Sequence, residues 1–183
     1  MHFDSRQLVF VAILLGSCSQ EEAPQPTSAP QAPPSTCGDA GFLATHLSGA
    51  LTADIEWPDS ELLCESMPRP DDRGVRMRFS GEVDSERLAI IIAMPALEAG
   101  MTGPDIDAVV TVTVEGSGRF FSTPSLGTCW ADVTRNEARG DGAAGYIVAG
   151  RLACVSPLGE FNGDAFVEVA DLQFSGIARW EGS

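Results

Sequence analysis

From residue 37 onward apolar side chains recur mostly with a period of two rather than 3.6, and that single property constrains the fold more than any other. A period of two puts alternate residues on opposite faces of a strand, so one face can be buried and the other wetted. In Val75-Arg76-Met77-Arg78-Phe79 the apolar residues alternate with arginines. Asp171 to Trp180 sets Leu172, Phe174, Ala178 and Trp180 against Gln173, Ser175 and Arg179. Leu88 to Met94 (LAIIIAM) and Ala108 to Val114 (AVVTVTV) are apolar on nearly both faces, as central strands of a packed sandwich are. Further strands are predicted at Ala50 to Trp57, Glu61 to Ser66, Arg119 to Thr123, Cys129 to Thr134 and Gly145 to Cys154.

Turn residues separate these segments, among them Glu115-Gly116-Ser117-Gly118, Gly140-Asp141-Gly142 and Asn162-Gly163-Asp164. The expected architecture is therefore all-β, an antiparallel sandwich or barrel of about nine strands. Helix is confined to two minor candidates, Gly41 to Ser48 and Ala96 to Gly100. The tripeptides Leu47-Ser48-Gly49, Phe79-Ser80-Gly81 and Phe174-Ser175-Gly176 repeat without alignment around them. A glycine within or beside a strand in this way suggests a bulge or bend rather than an internal duplication.

Upstream of the β-rich part, Leu8 to Gly16 form an uninterrupted apolar run of nine, too short to cross about 30 Å of hydrocarbon as a helix and suited to a signal-peptide core. Directly after it, Leu15-Gly16-Ser17-Cys18 resembles the lipobox of bacterial lipoproteins: an aliphatic residue, two small ones, then a cysteine. The resemblance implies cleavage before Cys18, removal of residues 1–17 and lipidation of Cys18. It also implies, for a Gram-negative envelope, sorting to the outer membrane, because Ser19 rather than Asp follows the cysteine. Acyl chains contribute about 0.8 kcal/mol per buried methylene, so several on one cysteine hold a protein to a leaflet facing the periplasm.

Residues 18–36 comprise that cysteine and a segment with five prolines whose only apolar residue type is Ala. Such a segment buries no core. In polyproline II it spans up to about 55 Å, a semi-rigid tether between the leaflet and a single domain at 37–183. Beyond the lipobox, the domain resembles small β-rich lipoproteins of proteobacterial envelopes.

Four cysteines remain after Cys18, and an even number in an exported chain reads as two disulfides. Cys129 and Cys154 lie on predicted strands with apolar neighbours on their faces, which favours that pair and leaves Cys37 with Cys64. Zinc is disfavoured, since no two cysteines are two to four residues apart and the processed chain keeps only His46.

The chain has 26 acidic residues against 11 basic ones, a net charge of −15, which is wrong for nucleic-acid binding. A Ser-His-acid triad would rest on His46 alone, and no residue stands out as a nucleophile. Asp105-x-Asp107 and Asn162-Gly163-Asp164 carry calcium-ligand types without a calcium-loop pattern. No catalytic residue, metal site or cofactor is assigned. Four basic residues, Arg69, Arg73, Arg76 and Arg78, cluster within ten positions. The sharper reading is a patch that recognises anions or carboxylates, and the simpler one is internal pairing with Asp71, Asp72 and neighbouring strands. Trp57, Trp130 and Trp180 are read first as core, with a ligand-stacking surface as the alternative. The expected function is a non-enzymatic envelope lipoprotein, a binding module for an envelope protein partner. A carrier holding a small or lipidic ligand inside the β-structure is the alternative.

Overall fold

The computed structural model describes residues 36–180 apart from 39, 68 and 70–72. The apolar run, Cys18, the tether up to residue 35, and Asp71 and Asp72 lie outside the described residues. Within them are eleven strands and no helix: β1 (Phe42–Gly49), β2 (Ala53–Pro58), β3 (Leu63–Ser66), β4 (Val75–Val83), β5 (Glu86–Met94), β6 (Gly103–Val114), β7 (Arg119–Ser122), β8 (Cys129–Ala138), β9 (Tyr146–Cys154), β10 (Leu158–Glu160) and β11 (Phe166–Ala178). All pairings are antiparallel.

The sheet folds back on itself into a sandwich. One layer runs β2-β1-β11 and the other β3-β4-β5-β6. On its remaining edge β6 pairs with β8 through its first half and β7 through its second, while β11 pairs with β10 and then β9. The β7–β10 and β8–β9 pairs then join the two layers along one side. At the opposite side Cys37, just before β1, is bonded to Cys64 of β3, tying the layers where no strand pair does so. The second disulfide joins Cys129 and Cys154, which stand opposite each other on β8 and β9 with Cα atoms 4.1 Å apart. Both bridges are the pairs expected from the sequence.

Two of the three repeated tripeptides, Phe79-Ser80-Gly81 and Phe174-Ser175-Gly176, meet in the core. Phe79 of β4 and Phe174 of β11 face each other between the layers with ring centroids 6.2 Å apart. A Cβ on Gly176 would lie 2.6 Å from the Phe79 ring, and one on Gly81 would lie 2.5 Å from the Trp57 indole. Neither glycine sits at a register shift. These glycines leave room for an aromatic ring from the other layer, which is a different role from the bulge the sequence suggested.

Two further expectations are corrected. Gly41 to Ser48 forms strand β1, with Leu43, Thr45 and Leu47 buried in alternation. Thr45 hides this pattern in the sequence, since its hydroxyl is buried only because it donates to Ala170 O at 2.8 Å. Ala96 to Gly100 is a turn. Its backbone bonds are single turns, Leu97 N–H to Met94 O and Met101 N–H to Glu98 O, and the carbonyls of Leu97 and Glu98 also accept from the Trp180 indole (3.2 Å) and the Asn136 amide (2.9 Å), side chains remote in sequence.

Candidate functional site

Three strands that meet on one outer face, β8, β9 and β11, each bury one set of residues and turn the other outward. On β8, Cys129, Ala131 and Val133 face in, so Trp130 and Asp132 face out. On β9 the buried Leu152 leaves Arg151 and Ala153 outside, and on β11 the buried Leu172 and Phe174 do the same for Gln173. Registration puts Asp132, Arg151 and Gln173 in one lateral row, with Trp130 opposite the small Ala153 beside it.

Irregularities in the strands deepen this face into a groove. β6 has one extra residue between Gly103 and Ile106 relative to β8, with Asp105 at φ 55°. β11 has one between Ala170 and Gln173 relative to β1, with Asp171 at φ 50°. β8 has one between Val133 and Arg135 relative to β9. Each bulge bends its strand and re-aims a side chain. Left-handed backbone at a residue other than glycine costs roughly 1–3 kcal/mol and persists where the surrounding structure enforces it, often at functional sites. Here two of these residues, both aspartates, border the same groove. Asp132 Oδ1 accepts from Asp105 N–H at 3.2 Å and fixes one bulge. Gly150 permits another, since a Cβ there would meet Asp132 O at 2.3 Å.

The resulting open groove has a volume of about 520 Å³ and is walled by Asp105, Trp130, Asp132, Arg151, Asp171 and Gln173. Among the described residues no hydrogen bond or ion pair engages the side chains of Trp130, Arg151, Asp171 or Gln173, in contrast to their counterparts elsewhere. The Trp57 indole donates to Glu82 O and is buried in the core; Trp180 donates to Leu97 O and meets Tyr146 edge-on at 5.1 Å. The three tryptophans thus share no common surface, and Trp130 alone lines the groove. Arg119 and Arg135 are likewise engaged, by Glu160 and Glu137.

The four clustered arginines do not converge on one site. Arg78 is held between Glu65 on β3 and Glu115 after β6. Arg76 is half-buried on the same outer face of β4, and Arg73 lines a separate hollow beside Pro95, Leu97 and Trp180. Arg69, between β3 and β4 in the chain, is half-buried. His46 faces Asp54 across β1 and β2 at 2.6 Å, on an exposed surface without a nucleophile in contact. Among the described residues no three His, Cys, Asp or Glu side chains stand close enough to share a metal ion.

The sequence singles out Trp130, read first as core with a ligand-stacking surface as the alternative, and Asp105 as a calcium-ligand type, but gives no signal for Asp132, Arg151, Asp171 and Gln173. The outward direction of Trp130 follows once Cys129 is placed inward. Convergence of the rest depends on bulges, which no alternation pattern displays. No protein-family model matches the chain, and no curated protein and no solved structure matches it.

Proposed function

We propose that this protein is a non-enzymatic lipoprotein of the cell envelope, acylated at Cys18 and held off an outer-membrane leaflet by its proline-rich tether. Its domain is a binding module whose recognition surface is the Trp130 groove. The observation that carries this reading is the gathering, on one bulge-shaped face and among the described residues, of the Trp130 indole, the Arg151 guanidinium, the Gln173 amide and the Asp171 carboxylate, none engaged by a side-chain hydrogen bond or ion pair, beside Asp132, which accepts from Asp105 N–H. Polar side chains carried on a rigid sheet but left unpaired are what a preformed site offers a ligand. A ligand carried between the layers is disfavoured, because the large side chains of Phe79, Phe121, Phe174, Leu43 and Ile90 are fully buried there.

Two measurements test the reading. The intact mass of protein extracted from its own envelope should correspond to a chain starting at Cys18, with acyl additions and four hydrogens lost to the disulfides. An unprocessed chain refutes the anchoring. A photoreactive residue at Ala153, on the groove wall, should form a defined adduct in the envelope, whereas one at Asp84 in the β4–β5 turn should not. Equal labelling from both positions refutes the site.

A further inference from the structure

Resting on the reading of the Trp130 groove as the recognition surface, we infer that its ligand is a neutral saccharide, bound with one ring face against the Trp130 indole and its hydroxyls shared among Asp132, Arg151, Asp171 and Gln173. The composition of the groove selects this chemistry by elimination and by fit. Three aspartates, Asp105, Asp132 and Asp171, border it, so an anionic ligand meets repulsion from most of its wall. Arg151 stands in the middle of the lateral row between Asp132 and Gln173, so the place beside the indole already holds a positive charge, and a cation drawn by the three carboxylates is the competitor that the spermidine comparison below separates from a neutral ligand.

A neutral ligand bearing many hydroxyls satisfies every group at once. Each hydroxyl both donates and accepts. The carboxylates are acceptors, Arg151 and the Trp130 N–H are donors, and the Gln173 amide is both. The indole supplies the apolar surface that a pyranose C–H face needs, with a polar edge beside it. Shape agrees with chemistry. The groove lies within the roughly 300–1,000 Å³ of small-molecule sites and is partly open to solvent, which leaves room for a saccharide that extends beyond the units it holds. Its side chains sit on paired strands whose bulges are held by Asp105 N–H to Asp132 and by the close approach of Gly150 to β8, so little order is lost on binding.

The test uses the full disulfide-bonded chain in a detergent without sugar headgroups, with intrinsic tryptophan fluorescence and ligand-observed NMR as readouts. The probes are short neutral gluco-, manno-, galacto- and N-acetylglucosamine oligosaccharides, with spermidine and inorganic phosphate as charged comparators. At least one oligosaccharide should bind, with little dependence on salt, since no net charge is neutralised. Trp130→Ala should weaken it about tenfold or more, consistent with the loss of an aromatic stack plus a hydrogen bond. Gln173→Ala, an exposed change that spares the core, should weaken it several-fold at unchanged melting temperature. The inference is overturned if no oligosaccharide binds, if spermidine or phosphate binds more tightly, or if both variants bind as the parent does. If adducts still form from Ala153 while the oligosaccharides do not bind, the ligand class is wrong and the site stands. If the Ala153 adducts are absent as well, both readings fall.

Discussion

Gly176→Ala isolates the contact on which the two layers close. The new Cβ would lie 2.6 and 2.9 Å from Cε1 and Cζ of Phe79 and 3.4 Å from Cys64 Sγ, whereas unstrained carbon contacts are about 3.5–4.0 Å. The Phe79 ring must therefore retreat by about 1 Å, yet it is fully buried against Phe174, with the Cys37–Cys64 bridge alongside. Overpacking of this kind costs about 1–3 kcal/mol. Replacing glycine by alanine within a strand returns about 0.5–1 kcal/mol by restricting the unfolded chain. The net expectation is a loss of about 1–2 kcal/mol, which for a domain of this size lowers the melting temperature by roughly 3–6 °C. Gly159→Ala in β10 supplies the control, because its Cβ would meet nothing within 4 Å; the entropic gain should appear without the clash and raise the melting temperature slightly. Phe79→Leu in the Gly176→Ala background should relieve the contact and give a coupling of about 1 kcal/mol in a double-mutant cycle. Thermal and urea unfolding followed by circular dichroism read the parent, the single variants Gly176→Ala, Gly159→Ala and Phe79→Leu, and the double variant. A Gly176→Ala protein as stable as its parent, or a strictly additive double mutant, refutes the argument that ring packing dictates glycine here.

Asn136→Ala should cost about 1–2 kcal/mol and speed hydrogen exchange in residues 96–102, because the Asn136 amide donates to Glu98 O and Met101 O while its own Oδ1 has no partner among the described residues; unchanged exchange there would count against the anchoring role. Each disulfide closes a separation of 27 or 25 residues and contributes about 3.5 kcal/mol in the chain-entropy model, so reducing both removes about 7 kcal/mol from a stability of order 5–15 kcal/mol. Unfolding in dithiothreitol should therefore begin near room temperature, and an unshifted transition would contradict that estimate. Asp141 is held below the ordinary carboxylate range by the Arg139 guanidinium and by the Ala143 N–H at 3.0 Å. A lowered native value means the interaction contributes above the unfolded value and is lost as pH falls through the native one. An NMR titration should find the Asp141 carboxyl low, and Arg139→Ala should bring it back up.

The layers and their staples were legible in the sequence for one reason: burial at period two leaves a visible trace wherever the buried residues are apolar. β4, β5 and the second half of β6 were found this way, and the inward face of Cys129 and Cys154 was enough to pair them. β1 was missed where Thr45 occupies a core position with its hydroxyl satisfied by β11, so a buried residue reads as polar. β10, three residues long, carries too little pattern to register. The Ala96 to Gly100 segment failed differently. Its apolar spacing permits a helix, and the decision against one was made by Asn136 and Trp180, which lie 38 and 83 residues from the carbonyls they bind.

The groove was illegible for a further reason. A bulge shifts the parity of a strand, so that inward residues before it are odd-numbered and those after it even-numbered, as Val169 and Leu172 are in β11. Read by alternation alone, such a strand seems to end and another to begin, which is why β11 was expected to start at Asp171 rather than Phe166. The residue at the parity change is the one whose side chain is redirected. Asp105 and Asp171 occupy two such positions, and Asp132 precedes a third, so the same irregularities that broke the sequence pattern are the ones that assembled the site. In a β-sandwich with no catalytic motif, breaks of parity are therefore a better guide to a recognition surface than clusters of charge. The four arginines at 69–78 illustrate the contrast: they do not converge on one site, and the fork of Arg78 on β4 is taken up by Glu65 and Glu115.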